Sequence, residues 1–527
     1  MLDFCFLLFV SEYIGLSGIF RVKGGISMEF LSPIKAAKKA RVGLYTIGLQ
    51  AYWGQFEGLK ERLIEYGSFI EKKMSMYGEV FNFGLVDSEG AARRAGEWFN
   101  EKNVDLVFCH SGTYSTSSAI LPVHQICKAP AVILNLQPTE RINYESTTTG
   151  EWLAHCGACP TPEIANAFNR SGIPFRVVNG LLGLDYTPAI SLTNENTSER
   201  KEAVAAWKQI TEWVRAAAVP RTLRHSRFGF LGNTYSGMLD MYSDFTMIQA
   251  QTGLHVEVLE MCDLNRILQD VTAKEVKQKM DEVTTFFEIS GDSPSDPIAK
   301  KPTQEQLEWS CKVAVAQEKL VKEFDLDALT YYYHGAPNSE YERLQSGFIV
   351  GHSLLTAKGI PCSGEGDLKT AIAMKVCDIL GTGGSFSEIV VVDYVDETIL
   401  LGHDGPFHLA ISEGKPILRG MGLYHGKQGS GVSVEAKVKT GAITTLNVTQ
   451  TGDGKLKMIV SEGMSTNGPI MRIGNTQTPV KFKEHPDVYL GRWFQEAPTH
   501  HCALSIGENS SLFKKVGELM ACYTVVL

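Results

Sequence analysis

The sequence predicts an α/β protein: two Rossmann-like parallel-sheet domains followed by a mainly antiparallel, β-barrel-like C-terminal domain. Three observations carry this expectation. From Arg41 onward, short apolar runs alternate with amphipathic stretches, the pattern of parallel strands covered by helices on both faces. The alternation restarts at RFGFLGN (227–233), after the long stretch SERKEAVAAWKQITEWVRAAAV. Beyond GTGGSF (381–386) the apolar runs crowd together with TGDG-type turns between them, the texture of an antiparallel sheet or barrel. The resulting division is an N-terminal extension (1–36), an N-terminal α/β domain (37–222), a central α/β domain (223–385) and a mainly β domain (386–527).

The elements follow in order. MLDFCFLLFVSEYIGLSGIF is apolar, yet Asp3 and Glu12 interrupt it and no basic residue precedes it. It therefore fits neither a signal peptide nor a spanning helix. Met28 opens a conventional start, so residues 1–27 read as an over-long start or a disordered arm. RVGLYTIGL (41–49) is a strand, and FEGLKERLIEYGSFIEKKM places apolar residues at helical spacing. EVFNFGLV, VDLVFCH, APAVILNLQ and PFRVVNG supply further strands, and the long helix is expected to end at Pro220. In the second unit RFGFLGN, LHVEVLEM and DALTYYYH are strands. Helices are expected at VTAKEVKQKMDEV, EQLEWSCKVAVAQEKLVKEF and LKTAIAMKVCDIL. IVVVDYV, TILLGHDG, PILRGMGLY, VEAKVKTGAITTLNV and KLKMIVSEG then read as closely spaced strands.

Composition narrows the class. The chain has 527 residues, 44% hydrophobic and 21% charged, with 50 Lys and Arg against 59 Asp and Glu for a formal net charge of −9. That is globular composition, and the missing basic excess argues against a nucleic-acid partner. No segment other than the N-terminus is long and apolar enough to suggest a membrane span. Eleven scattered cysteines read as thiols in a cytoplasmic protein, and the lone Cys156–Cys159 CxxC as structural thiols rather than half a zinc site.

The chemistry-bearing residues lie late in the chain. GTGGSF follows a helix and is no dinucleotide fingerprint, so it reads as a turn. No GxSxG elbow supports an esterase nucleophile. Glu365, in SGEGD between a strand end and a helix, sits where an open α/β sheet places ligands. The plainer account, a helix-terminal acid, already explains Asp367. Glu388, in SFSEIVVV, begins an otherwise apolar strand, where a carboxylate calls for a partner or a metal unless it is exposed. His403 and Asp404 end the next strand, and a hairpin brings that end beside Glu388. A satisfied surface histidine is the ordinary alternative. His500 and His501, in APTHHCAL, point opposite ways if extended. Two Glu with one or two His form a hard-to-borderline ligand set suited to Mn²⁺, Mg²⁺ or Co²⁺.

Taken together, Ser363 to Cys502 resembles the L-arabinose isomerase and L-fucose isomerase families, more closely the former. The resemblance rests on Glu365 in GEGDLKTA, Glu388 after GGSFSE, His403 in LLGH with KPIL (415–418) downstream, and His501 in THHCA. IGLQAYWG (47–54) is similar to the family's N-terminal segment with a substrate-contacting Gln, here Gln50. The likeness spans roughly 41–505. The chain also departs from the pattern: Asn135 in NLQ stands where the family has a substrate-side His, RFGFLGNTY replaces RFGDNMR, Leu368 replaces a Trp, and Ile389-Val390-Val391 replaces an acidic EDY. The resemblance implies an aldose–ketose isomerase acting through an enediol, with a divalent metal, foremost Mn²⁺, held by Glu365, Glu388, His403 and His501. Glu365 and Glu388 would be catalytic, and Gln50, His500 and Asn135 would contact the sugar. It also implies a homo-oligomer, a hexamer or similar, with a small-molecule sugar as its partner. Two other readings stay open: an isomerase or epimerase of a modified (deoxy, branched or sulfonated) sugar, and a non-catalytic sugar-binding protein.

Overall fold

The computed structural model describes residues 33–186, 196–292, 295–421 and 429–527. The N-terminal segment 1–27 discussed above lies outside the described residues. The chain divides into two compact units, Lys38–Arg221 and the part from Thr222 onward, which includes the segment preceding Lys38. The segments read above as central and C-terminal domains lie together in that second unit.

In the first unit, strands β1 (Arg41–Ile47), β2 (Glu79–Val86), β3 (Leu106–His110), β4 (Ala131–Gln137) and β5 (Phe175–Leu181) form one parallel sheet in the order β2-β1-β3-β4-β5. Its helices form because apolar side chains recur on one face. Leu59, Leu63, Tyr66, Ile70 and Met74 are all buried along Leu59–Met74, the spacing of a core-facing stripe. The helix Lys201–Leu223 runs through Pro220 instead of ending there. A proline removes one backbone donor. The fully buried Val219 and Leu223 show that the last turn is held by packing instead.

The second unit opens with β6 (Arg227–Gly232) and β7 (His255–Leu259), the short β8 (Glu288–Ile289) and β9 (Ala299–Lys300), then β10 (Ala328–Tyr332) and β11 (Cys362–Ser363). A second parallel sheet runs β11-β10-β6-β7. The remaining strands are β12 (Gly383–Asp393), β13 (Thr398–His403), β14 (Ile417–Met421), β15 (Val432–Glu435), β16 (Gly441–Gln450), β17 (Leu456–Ser465), β18 (Thr476–Phe482), β19 (His501–Ile506) and β20 (Tyr523–Val526). Six of them close into an antiparallel barrel, β16-β19-β12-β13-β18-β17 and back to β16. β20 adds to β17 in parallel, and β14 joins β8, β9 and β15 in a small separate sheet. The expected fold class is the observed one, with the barrel fully closed.

Two local expectations give way. GTGGSF is not all turn, because β12 starts at Gly383, and Glu388 therefore lies mid-strand rather than at its beginning. The register against β19 slips between Gly383 and Ser385, and such a bulge hides a strand start from a period-2 pattern. The described cysteines are free thiols. Among the described residues no helix is long and apolar enough to cross a membrane.

Candidate active site

Every member of the late-chain cluster belongs to the second unit, and two devices deliver it. One is barrel register. Glu388 on β12 stands directly opposite His501 on β19 and opposite Gly402 on β13, so facing positions on adjacent strands bring Glu388, His403 and His501 together. Gly402 is required here by close approach: a Cβ would run into the Thr476 carbonyl of β18. The Phe386 ring packs against both His403 and His501, with centroids 4.6 and 4.4 Å away.

The other device is a strained turn. Glu365 has φ +60°, the left-handed region that costs a non-glycine residue on the order of 1–3 kcal/mol unless its surroundings enforce it. They do so through two backbone bonds, Tyr235 N to Glu365 O (2.9 Å) and Gly366 N to Tyr331 O (2.9 Å). Gly366 also has positive φ (73°), and a Cβ there would press on Asn233 and Thr234. Asp367 then caps the helix Leu368–Ile379 by accepting from Thr370 N at 3.0 Å.

The geometry that results is a carboxylate facing three imidazoles. Glu365 lies 3.9 Å from His403 Nε2, 3.9 Å from His500 Nε2 and 3.6 Å from His501 Nε2. Each ring turns its other nitrogen to its own carboxylate. His403 Nδ1 is 3.0 Å from Asp404, His500 Nδ1 is 2.7 Å from Asp240, and His501 Nδ1 is 3.0 Å from Asp367. At His500 and His501 the carboxylate hydrogen-bonded behind Nδ1 orients the ring and directs Nε2 inward. Donor atoms of Glu365, His500 and His501, and likewise those of Glu388, His403 and His501, lie within 4.8 Å of one another.

His500 and His501 do not point opposite ways. His500 precedes β19 rather than lying in it, after Ala497 at φ +50°, and the rings sit 3.9 Å apart with both facing Glu365. Asn447 on β16 steadies this entry, donating through Nδ2 to Thr499 O (2.8 Å) and His501 O (2.6 Å).

The electrostatics follow from burial set against these pairings. Burial opposes the charge on Glu365, but His500, His403 and His501 outweigh it and hold the carboxyl below its usual value. Burial also opposes charge on His500, yet Asp240 and Glu365 push it up to about 10. His403 is raised because Asp404, Glu365 and Glu388 overcome its burial, whereas burial wins at His501 and lowers it despite Asp367.

Beside the cluster lies a cavity of about 170 Å³ bordered by Glu365, His403, Tyr331, Gln345 and the stacked pair Tyr235 and Tyr332 (centroids 4.5 Å apart). Gln50 and Asn135 are in the first unit. Gln50 opens an exposed single-turn 3-10 helix, and Asn135 on β4 donates to Asn179 Oδ1 at 2.9 Å. Sequence reasoning missed Asp240 altogether and saw Asp367 only as a helix cap.

The residues fit a divalent cation. Glu365 Oε2 and His501 Nε2 are buried without a hydrogen-bond partner, an arrangement that is costly unless a ligand satisfies it. The donors that converge are carboxylate oxygens of Glu365 and Glu388 and imidazole nitrogens of His403, His500 and His501, a mixed O/N set that Mn²⁺, Mg²⁺ or Co²⁺ accepts.

Fold and cluster together define an α/β protein whose site is assembled where a parallel-sheet layer meets a closed antiparallel barrel. The chain is similar to L-arabinose isomerases: residues 243–383 match the model of the L-arabinose isomerase central domain. It is 26% identical over 223 residues to the L-arabinose isomerase of Saccharophagus degradans, covering 39% of this chain and 41% of that protein. It is 21% identical over 350 residues to that of Shewanella baltica (62% and 66%) and 23% identical over 337 residues to that of Aeromonas salmonicida (61% and 64%). The chain thus spans from 41% to 66% of the length of these relatives.

Proposed function

We propose that this chain is a divalent-cation-dependent aldose–ketose isomerase working through an enediol, with Mn²⁺ as the cation and Mg²⁺ or Co²⁺ as substitutes. The observation that carries the reading is Glu365 facing three inward-directed Nε2 atoms at 3.6–3.9 Å on the edge of a cavity. Glu365, Glu388, His403 and His501 would hold the cation. When bound, it supplies Lewis-acid polarisation of the sugar carbonyl.

The chain's own groups account for the rest. One of Glu365 and Glu388 takes the proton from the carbon beside the carbonyl, and the other returns a proton to the neighbouring carbon. Glu365, held below the usual carboxyl value, is ionised at neutral pH and suits the accepting role. His500 hydrogen-bonds a sugar hydroxyl. Tyr235 and Tyr332 offer an aromatic wall to the open-chain sugar.

L-Arabinose is the first substrate to test. The alternative is a modified sugar, whether deoxy, branched or sulfonated.

The test is deuterium exchange by NMR in D₂O with Mn²⁺, over a panel of L- and D-aldoses. We expect label at C1 or C2 of one sugar, abolished by EDTA. No exchange with any sugar, together with stoichiometric sugar binding and no metal, would turn the reading to a non-catalytic sugar-binding protein.

A further inference from the structure

We infer that Asp240 is the positioning residue of His500, held in place by the buried ammonium of Lys369. Only its consequence for turnover rests on the isomerase reading.

Asp240 grips His500 twice through one oxygen: Oδ2 accepts from the His500 backbone N at 3.0 Å and lies 2.7 Å from ring Nδ1. Holding both backbone and ring leaves His500 one orientation, with Nε2 toward Glu365. His500 otherwise has no strand ladder to fix it, since β19 begins at His501.

Asp240 sits in the single-turn segment Leu239–Met241, which is too short to hold its own shape. Lys369 supplies the rigidity. It is 1% exposed, and its Nζ donates to Met241 O (3.0 Å), Tyr242 O (3.3 Å) and Ser243 Oγ (3.0 Å). That uses all three donors of an ammonium. The five residues Glu365–Lys369 therefore organise the site three ways: Glu365 enters the cluster, Asp367 backs His501, and Lys369 fastens the segment that backs His500. Asp240 itself stands behind the ring that it orients, so it acts through His500.

Two experiments test this. In ¹⁵N-histidine-labelled full-length protein with Mg²⁺, His500 is assigned by loss of its signals in His500→Gln. Wild type is expected to show the Nδ1–H shift of a proton hydrogen-bonded to a carboxylate, and Asp240→Ala to show that Nδ1 shift displaced. Asp240→Asn, which keeps an accepting oxygen, should recover most of the wild-type pattern. An unchanged His500 spectrum in Asp240→Ala overturns the proposal whether or not any sugar is turned over.

The second experiment is a double-mutant cycle on kcat. A misplaced contact costs on the order of 10²-fold, so Asp240→Ala should lower kcat about that much, with Mn²⁺ affinity within about threefold of wild type. Asp240→Ala/His500→Gln should be no worse than His500→Gln alone, because residues acting as a unit are not additive. Fully additive losses would show that Asp240 acts elsewhere. A wild type that turns over no sugar defeats the isomerase reading and leaves the spectroscopic test to decide this one.

Discussion

The turn carrying Glu365 and the barrel carrying Glu388, His403 and His501 reach one cluster by opposite means. In the barrel, position comes from a ladder: Glu388 faces His501 because two long strands are in register, and the hydrogen bonds on either side repeat the instruction. In the turn, position comes from a single residue at φ +60° held by two backbone bonds. A ladder distributes an error over many bonds, whereas a strained turn concentrates it in one. The barrel half should therefore be the harder to disturb unless its register is attacked directly.

That contrast can be broken or sharpened, beginning with the largest effect. Glu365→Gln and Glu388→Gln keep the shape of either half and remove its carboxylate. Each should reduce turnover by about 10³-fold or more, at the level of losing a proton-transfer group, in steady-state assays on the sugar that exchanges deuterium. Near-native rates in both would dissolve the comparison. Gly402→Ala attacks the register itself by driving a methyl into the Thr476 carbonyl. A destabilisation of about 3 kcal/mol is expected from such overpacking, read from denaturant unfolding, with loss of Mn²⁺ binding in whatever remains folded.

Asp367→Asn leaves both halves standing and weakens the link between them, since the buried Asp367 backs His501 at 3.0 Å while capping a helix. Loss of a partner behind a metal-ligating histidine typically costs 10–100-fold in affinity, so Mn²⁺ titration followed by EPR should show a drop of about that size. Gly366→Ala is the mildest. The positive φ and the contact with Thr234 at 2.6 Å predict about 1–2 kcal/mol of strain. It should appear as weaker Mn²⁺ binding with little change in unfolding of the barrel. If it harms the barrel as much as Gly402→Ala, the two halves are not separable.

Legibility in the sequence follows the same divide. Strands of both parallel sheets were readable from their apolar runs, and the change of texture after residue 386 announced the barrel. Its closure was not readable, because β16 meets β19 only through pairings such as Ile443 with Ile506, which no local pattern encodes. His403 and Asp404 are neighbours and could be read together. Asp367 is 134 residues from His501 and Asp240 is 260 residues from His500, so Asp367 read only as a helix-terminal acid and Asp240 carried no signal at all. Pro220 misled because a proline is a reliable helix stop only where burial does not carry the chain past it, as Val219 and Leu223 do here.

Closing a ring of strands also sets an order of events during folding. Glu388 and His403 are made early in the barrel segment, but the strand that contributes His501 is the last of the six to be synthesised. Until β19 inserts between β16 and β12, the barrel is an open sheet with two unprotected edges, and bringing His501 back across more than a hundred residues carries a loop-closure cost. On the proposed cation-dependent reading, tight cation affinity would arise at the moment the aggregation-prone edges disappear. Capture of such an ion would then report that the barrel has shut.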